Sequence, residues 1–281
     1  VRFSACRALD NLGSKTMLEK LCTKDVLNTL IQLIREKNPE IRNEILKILG
    51  GVYNTYLALS TLNEIVSFGH QNTEEECNEI RDIILRDIPN NILSLIYIND
   101  KEITASVDAA LFEVLLPLET NTTKRVERLC QFFASLNEKS KNSFVAITKR
   151  QQQVSKVVLK YLDLANTQEN KENKMDFLNR NETKNIDTQK LDKTINWMCV
   201  SFPDGLNTFS CLERFNKLKN HRFFYLLRMI VSSDSDYATV KNSLKELLTK
   251  LGSAKNLKLL EERTTVSTTD MVSNFKLLLF R

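Results

Sequence analysis

Apolar residues recur three, four and seven positions apart along most of the chain, the spacing of one face of an α-helix. Over 24–36 the stripe is Val26, Leu27, Leu30, Ile31 and Ile34. Over 138–165 it is Phe144, Ile147, Val154, Val158, Tyr161 and Leu162, and over 205–219 it is Phe209, Leu212, Phe215 and Leu218. The same reading predicts helices over 39–58, 60–69, 74–87, 90–98, 101–118, 122–136, 191–202, 221–232, 236–252, 255–264 and 268–280. Pro89 and Pro117 are expected to separate helices, and Gly252 to cap one. Residues 166–190 mix Asn, Lys, Glu and Thr with few apolar side chains. A segment so polar cannot bury a face, so an insertion loop is expected there.

Two helix starts repeat. Val1-Arg2-Phe3-Ser4-Ala5-Cys6-Arg7-Ala8-Leu9 is followed about forty residues later by Pro39-Glu40-Ile41-Arg42-Asn43-Glu44-Ile45-Leu46-Lys47-Ile48-Leu49. Each places a β-branched residue and Arg ahead of small or apolar residues, and Pro39 suits a first helical turn. The period and the Pro-acidic-Ile-Arg opening resemble HEAT repeats. The expected fold is all-α, an α-solenoid of HEAT-like helix pairs, with an irregular α-bundle as the alternative. The expected organisation is repeats over 1–165, the loop 166–190, and further helix pairs over 191–281.

Composition agrees with long helices and few tight turns. The 281 residues hold 6 Gly and 4 Pro, where average usage predicts roughly 34 together. Sandwiches, barrels and Gly-loop enzymes need more of both. Charge adds an asymmetry: residues 1–120 carry 12 basic and 18 acidic side chains, residues 121–281 carry 28 and 17. An acidic half joined to a basic half implies two kinds of surface. Cys6, Cys22, Cys77, Cys130, Cys199 and Cys211 show no zinc spacing and read as small buried hydrophobes in a reducing compartment. No signal peptide is visible, and no apolar run reaches the ~20 residues of a membrane span. The chain opens at Val1 inside a helical pattern and reads as part of a longer protein.

Catalytic patterns are missing from the sequence. The histidines are His70 and His221 alone, with no Walker, GxGxxG, GxSxG or HExxH motif. Glu74, Glu75 and Glu76 sit where a helix N-terminus favours carboxylates. The expectation is a non-enzyme without metal or cofactor.

Basic and aromatic residues cluster instead. Residues 121–160 carry 9 basic and 2 acidic side chains. Lys149, Gln153, Lys156 and Lys160 are spaced 4, 3 and 4, a polar stripe beside the apolar one. A second cluster joins Arg214, Lys217, Lys219, His221, Arg222 and Arg228 with Phe215, Phe223, Phe224 and Tyr225. Such surfaces suit an acidic partner or nucleic-acid phosphate, although lysine stripes are commonly only solvated faces. Tyr225 and Arg228 lie three apart and read as an exposed pair.

Three blocks carry a family resemblance. They are Ile34–Arg42 with Val52-Tyr53-Asn54-Thr55-Tyr56, the run Thr123–Gln151, and the stretch from Ile195 through Pro203-Asp204-Gly205 and the Phe215 helix to Leu248-Thr249-Lys250-Leu251-Gly252. In this order they resemble the "precocious dissociation of sisters" family, the HEAT-repeat regulatory subunits of cohesin. The Asn/Lys-rich segment resembles fungal members more than animal ones. The matching part is the middle of a longer hook-shaped solenoid.

The resemblance implies binding rather than catalysis. Such proteins dock on the kleisin subunit of cohesin, recruit the wings-apart-like releasing factor, and support the cohesin acetyltransferase. They are nuclear and associated with chromatin through cohesin. The resemblance carries over no individual contacts; the basic and aromatic surfaces of the 122–160 and 205–232 hairpins supply the kleisin-binding candidates, Lys149, Arg150, Gln153, Lys156, Tyr225 and Arg228, with Phe132 and Phe144 as groove floor or, alternatively, core. Another HEAT scaffold that binds an acidic partner or nucleic acid is the remaining functional alternative.

Overall fold

Side-chain caps fix where the helices begin. Thr23 Oγ1 accepts from the Val26 N–H at 3.3 Å, starting α3 (Lys24–Leu33). Asn38 Oδ1 accepts from the Glu40 and Ile41 N–H groups at 2.9 and 3.4 Å, and Pro39 opens α4 (Pro39–Thr61) as expected. Thr73 and Glu76 form a reciprocal capping box at α5 (Glu74–Asp82). Asp100 and Asn121 cap α7 (Lys101–Ala109) and α8 (Thr122–Ser135) in the same way. Each such cap contributes about 1 kcal/mol.

The computed structural model describes residues 2–61, 68, 73–117, 121–172, 180–201, 221–232 and 234–251. The remaining helices are α1 (Arg2–Leu12), α2 (Ser14–Thr16), α6 (Ile88–Ser94), α9 (Glu138–Glu172), α10 (Arg180–Ser201), α11 (His221–Val231) and α12 (Tyr237–Leu251). Among the described residues there is no strand, and no helix is long and apolar enough to cross a membrane. The expected helices over 205–219, 255–264 and 268–280, the Gly252 cap, and Pro203 with Gly205 lie outside the described residues.

Two expected boundaries move. Pro89 was expected to separate helices, yet 74–98 is a single helical rod with Pro89 buried inside it. The ladder has already widened to a π turn over Ile83–Asp87, where the Ile88 N–H reaches back to the Ile83 carbonyl. A residue without an N–H is therefore accommodated there. The amides of Asn90 and Asn91 donate to the carbonyls of Arg86 and Asp87 at 2.7 and 2.9 Å. The expected break near residue 59 also does not occur, because α4 continues through Thr61.

The expected loop 166–190 is corrected as well. Its backbone is helical over 166–172, as the end of α9, and over 180–190, as the start of α10. Residues 173–179 lie outside the described set. Lys, Glu and Gln are good helix formers and the segment contains neither Gly nor Pro, so it can propagate a helix without burying a face.

The chain divides into two compact units, Val1–Ile147 and Thr148–Arg281, so the division falls inside α9 and not in the polar segment. The reason is a change of packing partners along one helix. In the first unit α4 is central: Ile45, Leu49, Val52 and Tyr53 are buried, and Phe144 and Ile147 of α9 join that core. Tyr53 meets Phe132 edge-on at 6.3 Å, and Phe132 meets Phe144 at 5.8 Å. In the second unit Val158, Tyr161 and Leu162 of α9 pack with Ile195 and Met198 of α10 and Phe223 and Leu227 of α11. Of the apolar stripe predicted for α9, Phe144, Ile147, Val158, Tyr161 and Leu162 are buried and Val154 is half-buried. Cys6 and Cys22 are buried as expected, whereas Cys130 is exposed on α8.

Candidate partner-binding surface

The polar stripe of α9 is a consequence of its buried one. With Val158, Tyr161 and Leu162 facing the core, Lys149, Gln153, Lys156 and Lys160 fall on the exposed side. Among the described residues, Lys149, Lys156 and Lys160 make no ion pair. Three cations stand along one face without internal compensation, which leaves their field available to an anionic partner.

The stripe ends at Asp163, three residues beyond Lys160, and Asp163 forms an ion pair with Arg228 of α11. This contact joins the α9 stripe to the exposed face of α11. One turn before Arg228, Tyr225 is 50% exposed, and the Arg222 guanidinium lies 5.2 Å from its ring centroid. Arg222 also donates to both carboxylate oxygens of Glu246 on α12, at 2.9 and 2.6 Å. Lys250 reaches the same carboxylate at 2.7 Å. The hydrogen bond from Arg222, then that from Lys250, holds the Glu246 carboxyl down at about 2. Tyr225 is therefore a rigidly backed aromatic plate beside a fixed guanidinium, a pairing favoured at interfaces.

The other predicted residues are placed differently. Arg150 is half-buried and donates from Nη2 to the Ser201 carbonyl at 3.4 Å. Phe132 is 0% exposed and Phe144 is buried, both in the aromatic core of the first unit. Of the two roles left open by the sequence, core packing is the one they fill here. Asp163 and Glu246 were not singled out by sequence. Asp163 continues the 149-153-156-160 spacing and could have been read from it, whereas Glu246 meets Arg222 across 24 residues with no local signal.

Comparison with known proteins places this geometry in a family. The family profile described as sister chromatid cohesion protein PDS5 matches residues 1–281. A curated relative, sister chromatid cohesion protein PDS5 of Saccharomyces cerevisiae, is 30% identical over 288 residues, covering 100% of this chain and 21% of the relative. Sister chromatid cohesion protein pds5 of Schizosaccharomyces pombe is 22% identical over 252 residues, covering 89% and 19%. A solved chain described under "Structure of the Pds5-Scc1 complex and implications for cohesin function" superposes with a TM-score of 0.78 and 27% identity, over 99% of this chain and 37% of its own. This chain thus spans about a fifth of the length of the curated relatives it matches. The structural likeness assigns the fold class expected from the repeats, the HEAT-type α-solenoid.

Proposed function

Because the chain belongs to the sister chromatid cohesion protein PDS5 family, we propose that it is part of a non-catalytic regulator of cohesin that binds the kleisin subunit. The observation that carries this reading is the match over 99% of the chain to a Pds5 solved in complex with Scc1. On this reading the chain supplies a length of solenoid on which a kleisin segment lies.

The docking residues we propose are Lys149, Gln153, Lys156 and, continuing the same stripe, Lys160 on α9, and Tyr225 on α11. Arg228 and Arg150 hold the edge of that surface through Asp163 and the Ser201 carbonyl. The unpaired lysines attract an acidic segment and fix its register, while Tyr225 offers apolar area at low entropic cost. Through the longer protein, the same scaffold recruits the wings-apart-like releasing factor and the cohesin acetyltransferase. It acts in the nucleus, on chromatin-bound cohesin.

Fluorescence anisotropy with labelled peptides from the kleisin N-terminal region tests the reading. The triple reversal Lys149→Glu, Lys156→Glu, Lys160→Glu is expected to weaken binding by about tenfold to a hundredfold, since exposed pairs contribute about 0.2–1 kcal/mol each and reversal adds repulsion. The salt dependence of binding should flatten in the same variant. Unchanged affinity in a folded triple variant removes the site, and absence of any kleisin binding by the wild-type chain removes the function. Binding that favours duplex DNA over kleisin peptides would turn the reading toward nucleic acid.

A further inference from the structure

We propose that the outer face of α8 is a second docking surface, one that receives an acidic amphipathic helix of a partner protein. The surface lies in the first unit and shares no residue with the α9 lysine stripe.

Little of α8 is held by packing. Its inward side consists of Phe132, fully buried against Tyr53 and Phe144, with Arg128 and Ser135 partly buried on the same side. Residues 128, 132 and 135 are one narrow helical seam. The exposed side is not uniformly polar. Val126 is 53% exposed, Leu129 40% and Phe133 38%. Their spacing of three and four puts them on one line down the helix. A solvated helix normally places Lys, Glu or Gln there, so a line of exposed apolar side chains signals a partner.

The patch continues onto α9. Phe133 meets Phe144 at 6.0 Å, and the Lys141 ammonium lies 5.8 Å from the Phe133 ring. Val145, 39% exposed, is one turn beyond Lys141 on the same face of α9. The apolar line therefore has a second wall, the arrangement that accepts a helix with anchors at the same spacing.

Charge decides what kind of helix fits. The first turn of α8 has no acidic residue but carries Lys124 and Arg125, where the positive end of the helix dipole disfavours cations. Neither makes an ion pair among the described residues. Within 121–145 the basic residues number five (Lys124, Arg125, Arg128, Lys139, Lys141) and the acidic ones two (Glu127, Glu138), and Glu138 is already paired with Lys141 at 2.9 Å. A second copy of the chain would bring like charges together across this face. A partner helix with Glu or Asp beside its apolar anchors relieves them instead.

The test uses the whole chain and a synthetic peptide with Leu at alternating three- and four-residue spacing and Glu at its other positions. Binding is followed by fluorescence anisotropy and mapped by line broadening in spectra of the labelled chain. The peptide is expected to bind with saturation, and Leu129→Ser or Phe133→Ser to weaken it about tenfold or more. Arg125→Glu should weaken it with a reduced salt dependence. A peptide of the same composition with scrambled spacing, and one with Lys in place of Glu, should bind about tenfold or more weaker. Equal binding of the scrambled or the Lys peptide overturns the proposal, as does affinity that survives Leu129→Ser. If light scattering shows a dimer that Val126→Asp dissolves, the face is a self-interface and the proposal is likewise overturned. Circular dichroism of each variant confirms folding. Because no kleisin peptide is used, the result is independent of the reading above.

Discussion

Two adjacent glycines in α4 should respond to the same substitution with opposite signs. Both sit in the middle of a helix, where Ala is favoured over Gly by about 0.8–1.0 kcal/mol. An added Cβ at Gly50 would stand 2.6 Å from Val114 Cγ1 and 2.9 Å from Val114 Cβ. Carbon atoms in contact need about 3.5–4.0 Å, so the shortfall is near 1 Å. Rotating the Val114 side chain moves Cγ1 but cannot move Cβ, which is fixed to the backbone. That backbone is itself held, since Asn54 Nδ2 donates to the Val114 carbonyl and Leu111 and Leu115 are fully buried. The cost belongs at the upper end of the overpacking range, about 2–3 kcal/mol, and the net destabilisation of Gly50→Ala is about 1–2 kcal/mol. At Gly51 the close neighbour is Ser14 Oγ, the far end of a side chain at the start of α2, and Ser14 Cβ is at an ordinary 3.5 Å. The hydroxyl can turn away, so Gly51→Ala should be neutral or stabilising by up to about 1 kcal/mol. Urea unfolding followed by far-UV circular dichroism reads both as midpoint shifts at constant slope. If Gly50→Ala stabilises the chain as Gly51→Ala does, propensity has won and the close crossing of α4 with the 110–115 segment is wrong.

Further outcomes follow from the core and from the Arg222 cluster. Phe132→Ala should cost about 3–5 kcal/mol in urea unfolding, because a fully buried ring is removed from between Tyr53 and Phe144. A variant of normal stability with weakened kleisin binding would instead make Phe132 the floor of a groove. Glu246→Gln should lower the melting temperature at neutral pH, and the difference from wild type should close on acidification. A carboxyl depressed from 4.5 to about 2 contributes stability that is present above the higher value and lost as pH falls through the lower one. A difference that stays constant from pH 7 down to about 2 would exclude the depressed carboxyl as its source.

Local pattern determined most of what the sequence revealed. Amphipathic spacing and capping residues depend on neighbours within one or two turns, so α3, α8 and the start of α4 could be placed from sequence. Pro89 misled because a missing N–H breaks a helix only if the ladder needs it there, and the π turn before it was invisible to periodicity. Residues 166–172 and 180–190 misled because a helix without an apolar face has no period to detect. Phe132 could be placed on a helix but not on a side of it, since its contacts with Tyr53 lie 79 residues away. The lysine stripe was legible because it is the complement of the buried stripe on one helix. Its anchoring was not, because the Asp163–Arg228 pair spans 65 residues. The family, by contrast, could be read from the order of three blocks, and the profile match over 1–281 bears it out.

On the proposed function, a kleisin segment lies along the exposed stripe of α9. A photoreactive phenylalanine analogue placed at Gln153, exposed between Lys149 and Lys156, reports whether it does. Irradiation with a kleisin N-terminal fragment should give a single kleisin adduct at Gln153, lost in the Lys149→Glu, Lys156→Glu, Lys160→Glu background. Binding of the kleisin fragment with no adduct at Gln153, or an adduct that persists undiminished in that background, would place the kleisin segment elsewhere than on the α9 stripe.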